Sequence, residues 1–110
     1  MLLATELFVL PPAAPVLEKM RKLKARRRGM KSVYYRREWF KLRKELSRTH
    51  EWAILRAQAS SRAQMWCEKS CGHYGSQPHH KKTVHSRMDL VFDLNNVLWI
   101  CQTCHDGVHQ

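Results

Sequence analysis

The sequence has no cysteine before residue 67, only nine acidic residues and no apolar run long enough to cross a bilayer. The last absence argues against a membrane-spanning protein. Lysine and arginine total 20, which gives a net charge of +11, so an acidic partner is expected. The apolar start reaches its first charge at Glu6 and lacks the basic lead of a secretory signal. We therefore expect a cytoplasmic chain whose thiols stay reduced.

The excess positive charge is confined to one stretch. Residues 18–48 hold 14 lysines and arginines against three glutamates, whereas the rest of the chain is neutral. A polyanion would relieve the repulsion among these charges and release condensed counterions. We therefore predict a basic helical DNA-binding arm over residues 16–49, with a solvated helix face and membrane binding as the alternatives. Residues 1–15 are apolar and rich in proline and alanine, and they are interpreted as a tail or as a docking patch.

Apolar spacing predicts three helices before the cysteines. The first covers residues 16–29 and the second covers residues 33–48. The third follows Thr49, whose side chain can cap it, and Trp52 and Trp66 are expected in the core. These helices would lead into a region of different chemistry. The last 44 residues hold all four cysteines and six of the seven histidines.

The four cysteines form two short pairs, about thirty residues apart, that can each supply two thiolates from a tight turn. They are Cys67 and Cys71, then Cys101 and Cys104. This is the sequence form of a four-thiolate zinc site, and two disulfides or four buried thiols are the alternatives. A core of about 60 residues is marginal by itself, so a structural zinc would add needed stability.

The histidines predict a second metal site. His105 and His109 are four residues apart and would project from the same face of a helix. His79 and His80 are adjacent, so on a strand they would point to opposite faces. One of them can then bind an ion while the other serves as a general base, which a metal-dependent hydrolase requires.

The joint order of these residues resembles the HNH endonuclease family, also called ββα-metal or His-Me finger nucleases, and especially its small phage and prophage members. The resemblance covers residues 50–110 and implies an α+β fold, a small zinc-stapled ββα-metal finger preceded by basic helices. It rests on both cysteine pairs, on His79-His80-Lys81 with His80 nine residues after Cys71, on Asn96 five residues before Cys101, and on His105 and His109.

The resemblance also implies roles for individual residues. His80 would be the general base that activates water, and Asn96 would orient the loop and strand that present it. His79, His105 and His109 would hold a catalytic divalent ion, either Mg²⁺, Mn²⁺, Ni²⁺ or Zn²⁺, and the cysteines would hold structural zinc. The implied activity is hydrolysis of DNA phosphodiester bonds in one strand or two. Phage packaging proteins such as terminase and portal are suggested as partners, in a bacterial host cytoplasm.

A different assignment uses His85, because Val84-His85-Ser86 also has the form of a strand with a histidine. The interval from His85 to Asn96 is then eleven residues, which is short for the family. We favour the strand over residues 77–84 that carries His79 and His80, followed by a turn and a second short strand within residues 90–100.

Two classes of function remain from the sequence. One is the metal-dependent endonuclease, and the other is a non-catalytic zinc module that binds nucleic acid. Both would contact DNA through basic side chains of the arm and of the finger. The candidates are Arg26, Arg27, Arg28, Arg36, Arg37, Lys41, Lys81, Lys82 and Arg87.

Overall fold

Helices and one small sheet make up the structure, a computed structural model that describes residues 10–108. In chain order the elements are α1 (Ala14–Ala25), α2 (Ser32–Leu46), α3 (His50–Arg62), β1 (Gln77–His80), β2 (Val97–Ile100) and α4 (Gln102–Val108). The predicted α+β class is confirmed. The chain divides into two compact units after Ala53. Within the described residues no helix is long and apolar enough to span a membrane.

The first unit is a helical hairpin whose inner side chains are apolar. Helices α1 and α2 contact each other, and their buried residues are Val16, Met20, Tyr35 and Leu46. The segment before α1 is fixed by backbone hydrogen bonds. The His50 amide donates to the Pro11 carbonyl at 2.9 Å, and the Ala13 amide donates to the Glu51 carboxylate at 2.8 Å. Residues 10–13 are therefore held in place, whereas residues 1–9 of the predicted tail lie outside the described residues.

The bounds of the first two helices differ from the predictions: Ala14–Ala25 replaces residues 16–29, and Ser32–Leu46 replaces residues 33–48. Helix α1 begins at Ala14, two residues early, because Pro15 lies in its first turn, where the missing N–H has no intrahelical partner to lose. The side chain of Thr49 contacts the preceding helix, and its role as the cap of α3 stays a prediction. Its hydroxyl donates to the Leu46 carbonyl at 2.7 Å and so satisfies the end of α2.

The second unit has its apolar core between α3 and the sheet. Leu55, Ala59, Val97 and Trp99 form a buried cluster, and the partly buried Phe92 packs against it. A smaller cluster joins Ile100 to two of the cysteines. Burial of these side chains is the main source of cohesion, at about 1.5–3 kcal/mol for each fully buried large side chain. The apolar strand β2 therefore contributes side chains to both clusters.

The sheet is an antiparallel hairpin of β1 and β2, in which His79 pairs with Leu98 and His80 pairs with Val97. The second strand and the turn before it agree with the prediction. The prediction that the first strand runs to Val84 is wrong, because β1 ends at His80 and Val84 lies in a turn. The Asn96 side chain forms hydrogen bonds with both the amide and the carbonyl of Lys82, so these two groups cannot extend the hydrogen bonding between the strands.

Trp66 is not a core residue, contrary to the prediction, whereas Trp52 is buried as predicted. The Trp66 side chain is 49% exposed and stacks on Tyr74, with ring centroids 4.5 Å apart. A short antiparallel bridge between these two residues sets the geometry. Trp66 therefore covers the outside of the turn that carries the first cysteine pair.

Gly75 is required by close packing, and its replacement gives a test of this part of the fold. A Cβ atom at this position would overlap the indole ring of Trp99. We expect Gly75→Ala to destabilise the protein by about 1–3 kcal/mol, as overpacked cores do. Gly107→Ala is the matched control, because a Cβ there meets open space within a helix. Thermal unfolding of the zinc-loaded variants measures the difference, and equal midpoints for Gly75→Ala and wild type would contradict this packing.

Candidate functional site

The four cysteines converge as predicted. Their sulfur atoms all lie within 4.8 Å of one another, and Cys71 Sγ is 3.5 Å from Cys101 Sγ. Four thiolates around a tetrahedral zinc ion at ~2.3 Å would be about 3.8 Å apart, so the cluster fits zinc with a small contraction. The separations are too long for disulfide bonds, near 2.05 Å. Cys71 is also exposed, which does not fit four buried thiols.

The thiols of this cluster have divergent acidities. Burial acts to raise the pKa of Cys67, yet hydrogen bonds from the Cys101 and Lys69 backbone lower that pKa to about 7. The Cys101 side chain, together with burial, raises the pKa of Cys104 to about 12. Several negative sulfurs so close together repel one another. A bound divalent cation would remove that repulsion, and soft thiolates favour zinc over Mg²⁺ or Ca²⁺.

The histidines that are predicted to bind a catalytic metal ion are only partly within the described residues. His79 lies on β1 and His105 lies on α4, and their ring centroids are 6.1 Å apart at 83°. Two imidazoles bound at ~2.0–2.1 Å to one ion have centroids no more than about 6.5 Å apart. The pair lies near this limit, and a shared catalytic ion stays a prediction. His109 lies outside the described residues, and the four cysteines form the one metal-binding cluster within them.

His80 is anchored by the backbone rather than exposed on the strand. Its side chain is 7% exposed, and Nε2 lies 2.8 Å from the Val91 carbonyl oxygen. A carbonyl can only accept a hydrogen bond, so Nε2 carries the proton and Nδ1 has the lone pair of the neutral ring. The sequence did not indicate this contact, since any residue has a carbonyl. The prediction is that one of the two histidines binds the metal while the other faces the substrate, and the ring at position 80 is largely buried.

Asn96 ties the two strands together at the site. Its Oδ1 accepts from the Lys82 amide at 2.9 Å, and its Nδ2 donates to the Lys82 carbonyl at 3.0 Å. A longer contact of 3.4 Å joins Nδ2 to the Leu90 carbonyl. The side chain is buried, so these bonds are shielded from water. They fix the end of β1 just after His80, and they hold the segment that provides the Val91 carbonyl.

The alternative histidine occupies a different local structure. His85 is in a turn between Val84 and Ser86 and not on a strand. The Arg87 amide closes that turn by donating to the Thr83 carbonyl at 3.0 Å. The strand expected for this assignment is therefore wrong. His85 does not occupy the hairpin position that His79 and His80 share.

The candidate DNA-binding side chains are on the surface of both units. Two of them have an anionic neighbour: Lys41 lies 3.2 Å from Glu38, and Arg87 forms two hydrogen bonds with Asp89 that raise the pKa of Arg87. Arg27 lies over the Tyr35 ring at 5.0 Å. Among residues 10–108, no carboxylate forms an ion pair with the other six, although Lys81 and Lys82 are near enough to Glu68 and Asp89 to help lower the pKa of those carboxyl groups. These six exposed residues are Arg26, Arg28, Arg36, Arg37, Lys81 and Lys82.

The fold of this chain matches a known structure. It is similar to the crystal structure of the deep-sea thermophilic bacteriophage GVE2 HNH endonuclease with manganese ion, with a TM-score of 0.61. The match covers 73% of this chain and 91% of that chain, at 14% sequence identity. This chain has an HNH-type fold. A scan against protein-family models finds no match, and a search of curated proteins finds none either.

The HNH-type fold confirms the family resemblance inferred from the spacing, at the level of architecture. At 14% identity the chemistry has to be argued from the residues of this chain. Those residues include contacts that the sequence did not indicate. The Val91 carbonyl anchors His80, and the Arg62 guanidinium contacts the turn that contains Asn96.

Proposed function

We propose that this protein is a divalent-metal-dependent endonuclease that hydrolyses DNA phosphodiester bonds. The observation that carries the proposal is the placement of His80 within an HNH-type fold. His80 follows His79 on β1, and the His79 ring lies 6.1 Å from that of His105. Adjacent strand residues point to opposite faces, so a base and a metal ligand can come from one dipeptide. The proposed base and one proposed ligand of the ion are therefore adjacent in the chain.

His80 is the proposed general base. Its Nδ1 atom has the lone pair of the neutral ring, and it takes the proton from a water molecule that attacks phosphorus. The Nε2–H group donates to the Val91 carbonyl before and after this transfer, so the ring is held in one orientation through the step. The partial negative charge of that carbonyl also stabilises the imidazolium that forms. Asn96 is a positioning residue, since it holds the strand end beside His80.

His79, His105 and His109 are the proposed ligands of the catalytic ion. When bound there, a divalent ion would neutralise developing charge on the phosphate and on the leaving 3′ oxygen. Imidazole donors suit Mn²⁺, Ni²⁺ and Zn²⁺, while Mg²⁺ would bind weakly and retain its waters. The crystal structure of the similar phage endonuclease contains manganese. The four cysteines are proposed to hold structural zinc.

The basic helices are proposed to bind the DNA backbone. Each of the three glutamates in residues 18–48 forms an ion pair with a lysine or an arginine of the same segment. These glutamates are Glu18, Glu38 and Glu45. Most of the positive charge therefore remains for a polyanion. Arg43 is an exception, since its guanidinium lies over Trp52 at 5.1 Å and burial lowers its pKa. Exposed arginines of the turn after α1 and of α2 are the better phosphate contacts.

Neutralising the turn after α1 tests this backbone contact. In the triple variant Arg26→Gln, Arg27→Gln, Arg28→Gln, we expect weaker binding to every DNA sequence. The slope of log affinity against log salt should fall by up to about 2.7, at roughly 0.9 for each phosphate that is no longer neutralised. The control is Arg21→Gln with Lys22→Gln, because both cations already lie beside Glu18. Fluorescence anisotropy with duplex DNA measures the slopes, and an unchanged slope in the triple variant would place the contact elsewhere.

A non-catalytic zinc module that binds nucleic acid is the second candidate. The burial of His80 favours it, because a 7% exposed ring has restricted access to a substrate. Incubation of supercoiled plasmid with the zinc-loaded protein and each divalent ion separates the two candidates. The endonuclease requires nicked or linear product that disappears with chelator. DNA binding without product under any ion would support the module. A phage role beside terminase or portal proteins is also proposed, supported by the phage source of the similar structure.

A further inference from the structure

Arg62, the last residue of α3, uses all three guanidinium nitrogens in hydrogen bonds to other residues of this chain. Its Nε and Nη2 atoms donate to the two oxygens of the Glu68 carboxylate. Its Nη1 donates to the Leu94 carbonyl at 2.9 Å, and Nη2 also donates to the Val97 carbonyl at 2.6 Å. In a chain with 20 lysines and arginines, most such residues face solvent or DNA. The Arg62 side chain is 33% exposed, yet its guanidinium is committed to acceptors of this chain.

The acceptors of Arg62 connect two parts of the proposed site. Glu68 directly follows Cys67 of the thiol cluster, and it is tied to β2 as well. The Glu68 amide donates to the Trp99 carbonyl at 2.7 Å, and Oε1 of Glu68 accepts from the Trp99 amide at 2.8 Å. Leu94 and Val97 flank Asn96 on either side. One guanidinium therefore spans the turn of the first cysteine pair and the turn that carries Asn96.

We propose that Arg62 and Glu68 are positioning residues that fix the Asn96 turn against the cysteine cluster and thereby hold His80 in its reactive orientation. This inference rests on the proposed endonuclease function. The path is short, since Asn96 binds both backbone groups of Lys82, two residues after His80. A shift of about 1 Å in a catalytic group can lower a rate by about 100-fold. The pair acts on the reaction through Asn96, without contact with the substrate.

The geometry requires arginine at this position. A guanidinium presents five donors in a rigid fork, which matches a carboxylate and leaves further N–H groups for carbonyls. A lysine has one nitrogen and cannot span Glu68 and both carbonyls, at positions 94 and 97. Arg62→Lys therefore retains the charge and loses the span. Glu68→Gln retains an acceptor for the Trp99 amide and loses the charge.

The test compares Arg62→Lys and Glu68→Gln with wild type in plasmid cleavage. We expect kcat to fall by about 10- to 100-fold, with little change in KM or zinc content, because the DNA-binding surface and the thiolates are intact. Arg56→Lys is the matched control on the same helix. Its guanidinium lies over Trp99 at 5.4 Å and reaches a single carbonyl, that of Ser76, at 3.3 Å. The control should retain near wild-type kcat.

A second readout does not depend on cleavage. In ¹⁵N-labelled protein, the Asn96 side-chain amide and the His80 ring should shift in Arg62→Lys and not in Arg56→Lys. If wild type cuts no DNA, the endonuclease proposal fails, and these resonances alone decide the positioning role. Unchanged kcat together with unmoved Asn96 and His80 signals would overturn it. If Arg62→Lys does not fold, Glu68→Gln is measured in the same way, and the same negative result there would overturn the inference.

Discussion

Replacing His80 with alanine is expected to lower the DNA cleavage rate by about 100- to 10,000-fold, the usual contribution of a general base. The substitution removes the Nδ1 lone pair that is proposed to take the water proton, and the neighbouring His79 cannot replace it because it is the proposed ligand of the ion. KM and zinc content should stay near wild type, because neither the basic arm nor the cysteines change. Initial rates of plasmid nicking in the most active divalent ion measure the effect.

His85→Ala is the matched control for this experiment. It removes the histidine of the alternative assignment, which lies in a turn rather than on the hairpin. We expect its rate to remain near wild type. A large loss of cleavage rate in His85→Ala, with a modest loss in His80→Ala, would identify His85 as the general base instead. Equal cleavage rates in wild type and His80→Ala would contradict the proposal that His80 is the general base.

Replacing Cys101 with serine should release zinc and unfold the second unit. Cys101 is buried, and its sulfur lies 3.5 Å from both Cys71 Sγ and the Cys104 amide nitrogen. Structural zinc in small finger domains supplies about 10–16 kcal/mol of apparent binding free energy at neutral pH. This is comparable to the whole stability of a small domain, about 5–15 kcal/mol. A core the size of residues 54–108 cannot absorb such a loss.

Zinc content by elemental analysis and amide dispersion by NMR measure this outcome. Thr103→Ala serves as the control, since it lies exposed inside the same Cys-x-x-Cys turn and offers no thiolate. It should bind one zinc ion and retain dispersed resonances. A Cys101→Ser protein that is folded and contains stoichiometric zinc would contradict the four-thiolate site. Cys71 and Cys104 would then have a role other than binding zinc together with Cys101.

The sequence predicted those features that depend on side-chain chemistry at short spacing. The four cysteines converge because thiolate pairs in tight turns are the local form of a zinc site. The turn at Asn96 was also predictable, since Asp93 accepts from the Asn95 amide at 2.9 Å. His79 and His80 lie on a strand as expected. For these residues, local pattern and final structure agree.

The remaining features depend on backbone groups that are distant in sequence. Strand β1 stops at His80 because Asn96 occupies the Lys82 backbone, fourteen residues earlier in the chain. Trp66 finds Tyr74 as a stacking partner and so stays exposed. Each outcome follows from a tertiary contact that residue type and periodicity alone do not encode.

The bond between His80 and Val91 has a consequence for how this protein can be studied by mutation. Because the acceptor is a main-chain oxygen, saturation mutagenesis at position 91 would report only on the fit of the valine side chain, which is 3% exposed. The acceptor itself survives every such exchange. Only an amide-to-ester replacement between residues 91 and 92, which weakens that oxygen as an acceptor, would reach it. The group that anchors the His80 ring can thus escape detection by side-chain mutagenesis.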